Sequence, residues 1–376
     1  MRKTIILVII LYQVVGNIMI FFRKPVEEIP IFFASDNNYA PYLAVAIKSL
    51  LSNASPDYFY RIHVLTTNLD ESLCEKLQKL ATPNSTIEII SLAEEIEHIK
   101  NRFHLRDYYS IETYYRFFIP DMFPQYDKVL YLDCDITVLG DISNLFLTNI
   151  SNYLVGAAQE QVMAHYKVFG DYVEKVLDVK VKNYFSAGVL LMNTKLFRAY
   201  RIQQKFFKLM SEFKFRVTQD EDYLNVLCKD KVKKISIGWN KQPFEETGFD
   251  DVDLQLIHYN LGWKPWHYEN VLYEEYFWEY AAQTEFYDQI KAGLKAFTDE
   301  QRQKDKDGFE SLKMLAVEDI NDPNNYKNSM NKAHNYITKS LNAVAKLPYI
   351  KGVKRFIGSQ SHKLRYEFTK YRERQE

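Results

Sequence analysis

Cysteine is scarce in this chain of 376 residues, which contains only Cys74, Cys134 and Cys228. Their number is odd and they lie far apart, so the sequence has neither a disulfide framework nor the clustered ligand spacing of a zinc site. This cysteine usage favours a domain that faces a reducing, cytosolic compartment.

The sequence also lacks an excess of basic charge and any internal repeat. Its 48 Lys and Arg are balanced by 49 Asp and Glu, for a net charge of -1. A nucleic-acid-binding domain is normally basic, so this balance argues against a nucleic-acid partner. With 47% hydrophobic and 26% charged residues, the composition is that of a globular protein and excludes a disordered or wholly membrane-embedded chain.

Long apolar runs are rare, and only residues 4–22 form an uncharged stretch of membrane-spanning length. Such a stretch can just cross a hydrocarbon core of roughly 30 Å. Basic residues flank it on both sides, which leaves its orientation open. We predict that residues 1–24 are a hydrophobic segment, either an anchor or a translated leader upstream of a true start at Met19. A cleaved signal peptide fits less well, because no small-x-small site follows cleanly.

From residue 29 onward, short apolar strands alternate with helical patterns. Strands are predicted at residues 29–34, 61–66, 86–91, 128–133 and 187–193 and before His258, with helices at 42–51, 71–80, 194–213 and after Asp220. This alternation predicts an α/β fold with a parallel sheet and a ligand site at the carboxyl ends of its strands. The breaker-rich sequence NDPNN at 321–325 predicts a linker, followed by a basic, helical C-terminal segment at 326–376.

Two carboxylates emerge at the end of one predicted strand, in the stretch LYLDCDITVLGDISNLF. Asp133 ends the apolar run and Asp135 follows two positions later. Mg²⁺ and Mn²⁺ favour carboxylate oxygens and can bridge them to a diphosphate. A pair of this kind is also typical of caps and solvated loops, but its place directly after a buried strand favours a metal site.

Six sequence blocks in a fixed order resemble those of the family-8 glycosyltransferases: ASDNNYAPYLAVAIKSL, SIETYYRF, KVLYLDCDITVLGDISNLF, YFSAGVLLMN, QDEDYLN and HYNLGWKPW. That family includes bacterial lipopolysaccharide galactosyl- and glucosyltransferases and, more distantly, glycogenin. The resemblance covers about residues 29–279. It implies a GT-A type fold, with a Rossmann-like nucleotide-sugar-binding domain that we place at residues 29–320.

The resemblance also implies an activity. We expect a retaining enzyme that moves a hexose, galactose or glucose, from a UDP-sugar to a saccharide or lipid-linked glycan during synthesis of cell-surface polysaccharide. The residues themselves leave two other classes open. One is a metal-dependent nucleotidyltransferase or nucleotide-sugar hydrolase, and the other is a non-catalytic glycan-binding protein.

Three residues match the family's metal ligands, namely Asp133, Asp135 and His258. An imidazole nitrogen beside carboxylates suits Mn²⁺ better than Mg²⁺, so manganese is the expected ion, with Mg²⁺ as the alternative. A lone His after an apolar strand is more often a buried core residue, but its spacing to Lys264 supports a ligand role.

For the donor, Asp36 matches the residue that pairs with the uracil edge, and Asn38 matches the one near the ribose. Lys264 resembles the cation that contacts the diphosphate. The resemblance also places Ala34 and Gly262 at the donor. The departures from the family at Ser186 and Tyr108 leave the identity of the sugar open.

Arg116 resembles the arginine that reaches the donor sugar, and Asp220 and Glu221 fall where the family holds that sugar. Many relatives carry Gln at the position of Glu221. A carboxylate there is open to three interpretations: a nucleophile, a group that stabilises an oxocarbenium-like charge, or a helix-start acid favoured by the helix dipole. Glu160 matches an acceptor-side acid in some relatives.

The segment at 326–376 is predicted to bind an anionic membrane surface. Between residues 331 and 376 it has eleven Lys and Arg against three Glu, interspersed with apolar residues, as in segments that lie on a membrane interface. A solvated tail or a packing arm is the alternative. We therefore expect the protein at the cytoplasmic face of the membrane, as a peripheral or single-pass protein.

Overall fold

The computed structural model describes residues 27–97, 111–244 and 249–345. The predicted hydrophobic segment at 1–24, Tyr108 and the part of the basic segment beyond residue 345 lie outside these ranges. Among the described residues, no helix combines the length and the apolarity that a membrane crossing requires.

A central sheet has seven strands in the order β3-β2-β1-β4-β7-β6-β8. Its strands are β1 (Glu28–Ala34), β2 (Phe59–Thr66), β3 (Ser85–Ser91), β4 (Val129–Leu132), β6 (Val155–Ala157), β7 (Val189–Met192) and β8 (Val232–Lys234). A separate pair is formed by β5 (Ile136–Val138) and β9 (Leu256–His258). The first four strands of the chain pair in parallel in the central sheet, which confirms the predicted α/β class.

One strand departs from the predicted parallel arrangement. β7 runs antiparallel to both of its neighbours, β4 and β6. As a result, the amino end of β7 lies beside the carboxyl end of β4, with Val189 opposite Leu132. The backbone N–H of Asp133 donates to the carbonyl of Gly188 at 2.8 Å, so the segment before β7 lies next to the predicted metal ligands.

Fourteen helices are described. They are α1 (Ala40–Ser52), α2 (Glu71–Gln78), α3 (Ala93–Glu97), α4 (Ile119–Met122), α5 (Ile142–Phe146), α6 (Gln161–His165), α7 (Lys167–Lys175), α8 (Thr194–Tyr200), α9 (Ile202–Glu212), α10 (Asp220–Leu227), α11 (Glu274–Ala281), α12 (Tyr287–Ala296), α13 (Asp299–Asn321) and α14 (Tyr326–Ala345). The single helix predicted over 194–213 is in fact α8 and α9. Arg201, with a left-handed φ of 53°, separates them.

The core lies on both faces of the sheet, because successive strand residues point to opposite sides. Phe32 of β1 packs in one apolar cluster with Tyr131, whereas its neighbours Ile31 and Phe33 pack in the other cluster with Leu130. This two-sided burial explains why the central strands appear in the sequence as continuous apolar runs.

Two long helices close the described part of the chain. α13 packs against α7 and ends at Asn321, and α14 begins at Tyr326, so the helix breaks within the predicted NDPNN linker. The Tyr326 ring packs edge-on against Phe213 at a centroid distance of 5.2 Å. The division into a domain at 29–320 and a separate tail stays a prediction.

The stacked pair Phe206 and Phe117 provides a test of the core. The two rings are 3.9 Å apart and inclined by 8°, and Phe206 is fully buried. We expect Phe206→Ala to lower the free energy of unfolding by about 3–5 kcal/mol, because it leaves a cavity. Leu147→Ala is the control, because Leu147 is 50% exposed and should change that free energy by at most about 0.5 kcal/mol. Denaturant titration measures both, and equal losses would contradict this description of the core.

Candidate active site

One cavity gathers most of the residues that the sequence singled out. It lies at the carboxyl ends of β1 and β4 and is bounded by the segment before β7, the start of α10 and the loop after β9. The predicted residues on its lining are Ala34, Asp36, Arg116, Asp133, Asp135, Glu160, Ser186, Asp220, Glu221, His258 and Lys264.

Asp133, Asp135 and His258 form a group whose candidate ligand atoms all lie within 4.8 Å of one another. The two aspartates follow β4, and His258 is the last residue of β9, opposite Ile136 of β5. His258 Nε2 lies 3.2 Å from Asp135 Oδ1 and 3.8 Å from Asp133 Oδ2. Two carboxylates and one imidazole form a donor set that fits Mn²⁺ or Mg²⁺.

A second contact sets the orientation of the His258 ring. Its Nδ1 lies 2.9 Å from Asn240 Oδ1. Because that oxygen can only accept a hydrogen bond, Nδ1 carries the proton and Nε2 presents its lone pair to the two carboxylates. Asn240 is fully buried. Its role is not visible in the sequence, since nothing local to Asn240 marks a contact with a histidine 18 positions later.

Gly188 is a second residue that the sequence analysis missed. A Cβ atom at this position would lie 2.2 Å from His258 Cε1 and 2.9 Å from Asp133 Oδ2. Any larger residue would therefore displace the histidine or the carboxylate. Its place immediately before the apolar strand VLLM of the same block was the available signal.

Lys264 extends this group on the side of Asp135. Its ammonium contacts Asp135 Oδ2 and donates to the carbonyl of Tyr259 at 2.6 Å, and it is buried. Burial by itself would raise the pKa of Asp135, but the Lys264 ammonium beside it holds that pKa below its usual value. Asp135 is therefore an ionised carboxylate at neutral pH.

Arg116 connects the two acidic parts of the cavity. It lies in a 3₁₀ turn, Ile111–Phe117, with Nη2 2.9 Å from Asp133 Oδ1 and Nε 3.2 Å from Asp220 Oδ2. Its guanidinium also lies over the ring of Tyr131 at 4.2 Å. Burial alone would lower the pKa of Arg116, but Asp133 and Asp220 raise it, so this side chain is a permanent cation.

Asp220 begins α10 and faces the cavity. Its Oδ1 accepts a hydrogen bond from Thr113 Oγ1 at 2.7 Å. Burial raises the pKa of Asp220 to about 6, against the opposing effect of Arg116.

Glu221 is the second residue of α10. Its Oε2 accepts a hydrogen bond from the backbone N–H of Ala187 at 2.8 Å. Desolvation in the cavity and then the charge of Glu160 raise the pKa of Glu221 well above its usual value. The hydrogen bond that holds Glu221 comes from the segment before β7, and Glu221 also lies in the first turn of α10, so the three interpretations of its role stay open.

Two predicted donor residues do not line the cavity. Asn38 is exposed, and its Nδ2 donates to Asp36 Oδ2 at 3.3 Å. Gly262 packs towards α13, where a Cβ atom would lie 3.4 Å from Asp305 Cβ. Glu160, in contrast, lies on the lining, where its Oε1 accepts from Gln242 Nε2 at 2.6 Å.

Comparison with known proteins agrees with this geometry. The family model for glycosyl transferase family 8 matches residues 30–270. The chain is 27% identical over 252 residues to the lipopolysaccharide 1,3-galactosyltransferase of Salmonella typhimurium, an alignment that covers 64% of this chain and 74% of that protein. It is 28% identical over 268 residues to the lipopolysaccharide 1,2-glucosyltransferase of Escherichia coli, which covers 67% and 77% of the two chains.

Among solved structures, the galactosyltransferase LgtC in complex with donor and acceptor sugar analogs matches with a TM-score of 0.57 and 27% identity. That match covers 68% of this chain and 96% of LgtC. The resemblance inferred from the six sequence blocks is thus confirmed by both sequence and fold. The chain belongs to glycosyl transferase family 8 and is a glycosyltransferase with the GT-A fold.

Proposed function

We propose that this glycosyltransferase moves galactose or glucose from a UDP-sugar to a saccharide or lipid-linked glycan in cell-surface polysaccharide synthesis, with retention of configuration. The observation that carries the proposal is the group of Asp133, Asp135 and His258 next to Lys264, at the carboxyl end of β4. Relatives whose names specify lipopolysaccharide galactosyl- and glucosyltransfer support the sugar and the acceptor class.

Asp133, Asp135 and His258 Nε2 would hold Mn²⁺, or alternatively Mg²⁺. An ion held there would neutralise negative charge on the diphosphate leaving group. The Lys264 ammonium supplies a second positive charge at the same place, because it already contacts Asp135 in the buried part of the cavity. Asn240 keeps His258 Nε2 directed at this group.

Asp36 is the proposed partner of the uracil edge, at the end of β1 where Ala34 and Asp36 line the cavity. Asn38 would contribute near the ribose from the exposed rim, and Gly262 would shape the loop that carries Lys264. Arg116 and Asp220 are proposed to orient the hexose, since their ion pair fixes both side chains at the cavity surface. Holding the hexose in its reactive orientation lowers the activation barrier, because the entropy of alignment is already lost when the donor binds.

Glu221 is proposed to act on the face of the sugar opposite the leaving diphosphate. Its hydrogen bond from Ala187 fixes the carboxyl group at the cavity surface. There, a carboxylate stabilises the positive charge that develops on the sugar ring in the transition state. Its raised pKa means that the carboxyl group is readily protonated, and the charge of a nearby bound metal ion would favour its ionised form.

A screen of UDP-sugars with manganese, following release of UDP with and without a saccharide acceptor, tests the function. Transfer requires a glycosylated product in the presence of acceptor. Manganese-dependent UDP release that never yields such a product would instead indicate a nucleotide-sugar hydrolase. Absence of any metal-dependent binding of UDP-sugar in calorimetry would favour a non-catalytic glycan-binding protein.

Removing one proposed metal ligand should abolish transfer without unfolding the chain. We expect Asp135→Asn to lower turnover by far more than tenfold, because the amide cannot replace an anionic ligand, while the circular dichroism spectrum stays unchanged. Chelator should reproduce the loss in the wild type, and added manganese should restore the wild type only. Activity of the variant within about tenfold of wild type, a barrier change of roughly 1.4 kcal/mol, would contradict the ligand role.

Glu221→Gln tests whether the negative charge of this side chain, and not its size, matters at the face of the donor sugar. The amide keeps the size and can still accept the hydrogen bond from Ala187, but it cannot carry negative charge. We expect kcat to fall by more than the affinity for the donor, because charge stabilisation is greatest in the transition state. Initial rates and donor titration by calorimetry give the two quantities. An unchanged kcat would leave Glu221 with a structural role at the start of α10.

We also propose that the basic segment at 326–376 binds the anionic cytoplasmic face of a membrane. Its described part, α14, contains Lys327, Lys332 and Lys339 and no Asp or Glu. Met330 and Ile337, seven positions apart on one face of the helix, are 50% and 53% exposed. Four basic residues at such a surface would contribute roughly 4 kcal/mol, enough for reversible binding.

Vesicle sedimentation tests the membrane proposal. The chain without residues 1–24, which cannot anchor through its N-terminal segment, should sediment with anionic vesicles and not with neutral ones. Binding should weaken as salt rises, because the attraction is electrostatic. Further deletion of residues 331–376 should abolish it. Equal binding to both lipids, or no loss on deletion, would show that this segment is not the membrane contact.

A further inference from the structure

α13 reaches the active-site cavity although it follows the region that matches the family, residues 30–270. Two of its side chains, Phe309 and Leu312, are part of the cavity lining. The helix thus adds to the site a surface that the matched region does not supply.

The first half of α13 is attached to the loop that carries Lys264. Tyr268 Oη donates to Asp305 Oδ2 at 2.9 Å, and Arg302 donates to the carbonyl of His267. These contacts place this half of α13 against the diphosphate side of the cavity.

The second half of α13 is attached to the segment that leads into α10. Arg216 Nε donates to Asp319 Oδ1 at 3.0 Å, and Arg216 Nη1 lies 3.0 Å from Glu318 Oε2. Arg216 precedes Val217, a lining residue, and Asp220 follows shortly after. α13 therefore links the two segments that carry the proposed diphosphate contact and the proposed sugar contact.

The side chains that α13 brings to the cavity belong to a continuous nonpolar surface, which we call the apolar wall. Phe309 packs edge-on against Phe169 at a centroid distance of 5.9 Å. Phe169 belongs to one apolar cluster, and Phe309 packs against that cluster. The members of the apolar wall, all on the cavity lining and in or against that cluster, are Val162, Met163, Phe169, Val217, Phe309 and Leu312.

The cavity therefore has two parts of different chemistry. Its polar part holds Asp36, Asp133, Asp135, His258 and Lys264, which suit a uridine diphosphate. The apolar wall offers no side-chain hydrogen bond, and burying a polar group against it without a partner costs free energy. The backbone N–H of Met163 is itself used, because it donates to the Glu160 carboxylate. A nucleotide is therefore not expected to bind against the apolar wall.

We propose that the apolar wall is the acceptor subsite and that it selects an acceptor glycoside with an apolar aglycone, which packs against Phe309. This proposal rests on the glycosyltransferase function proposed above and assigns the acceptor class that the sequence left open. The half-buried ring of Phe309 is the contact surface. Leu312 and Phe169 support it from the core, and Lys313 Nζ lies 4.7 Å from its centroid.

Pairs of acceptor glycosides that differ only in the aglycone test whether the enzyme selects an apolar aglycone. The wild type, with manganese and its UDP-hexose donor, is assayed with octyl and methyl glycosides of galactose, glucose and N-acetylglucosamine. We expect the octyl member of the accepted pair to have a kcat/KM about tenfold higher, because apolar pockets discriminate by roughly that factor for small apolar groups. Equal values within every pair, or no transfer to any octyl glycoside, would overturn the proposal.

Substitutions of Phe309 test whether the preference for octyl glycosides depends on the apolar wall. Phe309→Ala should remove the octyl preference, Phe309→Leu should retain most of it, and the Kd for UDP with manganese should stay within about twofold of wild type. Met314→Ala is the matched control, because Met314 lies on the same helix and is 60% exposed. A similar loss in the control, or a loss of UDP affinity in Phe309→Ala, would contradict the acceptor role.

The outcomes also separate this inference from the proposed function. If no UDP-hexose gives manganese-dependent UDP release, the proposed function fails and the acceptor inference fails with it. If UDP release and transfer occur without any octyl preference, only the acceptor inference fails.

Discussion

The guanidinium of Arg116 contacts two carboxylates that come from distant parts of the chain. Asp133 follows a central strand and Asp220 begins a helix, and each lies within 3.2 Å of one of its nitrogens. Removing one partner of such a buried ion pair usually leaves an uncompensated charge, at a cost of about 3–5 kcal/mol. The cavity concentrates several carboxyl groups, and this one cation allows the two groups on either side of it to coexist there.

The remaining carboxylates depend on different partners. Asp135 is ionised because the Lys264 ammonium lies beside it. Glu221 and Glu160 have no comparable cation in contact among the described hydrogen bonds and ion pairs. Instead, Glu221 accepts from the backbone of Ala187, and Glu160 accepts from Gln242. Cations therefore contact the aspartates of the site, whereas burial raises the pKa of Glu221 and of Glu160. Of these two glutamates, Glu221 is the one proposed to face the positive charge that develops on the sugar.

Much of the fold could be predicted from local patterns. Apolar runs that end in polar residues located β1, β2 and β4, because these strands are largely buried on both faces. The edge strand β3 was located by its alternation of buried and exposed residues. The same reasoning was wrong about the direction of β7, since pairing direction is set by how the chain returns to the sheet and not by the residues of the strand. It also missed the break at Arg201, because a single left-handed residue leaves no mark in an apolar periodicity.

The sequence by itself determined which ligand types are available and where they leave the sheet. Asp133 and Asp135 had to emerge together, because they follow one buried strand, and the ordered blocks indicated the family. Only the tertiary structure decided what surrounds these residues. The antiparallel β7 brings Gly188 against His258, Asn240 orients that ring from 18 positions away, and α13 carries Phe309 into the cavity from beyond the matched region. Such contacts join residues far apart in the chain, and no local periodicity or spacing encodes them, because they arise only when the packed elements bring their side chains together.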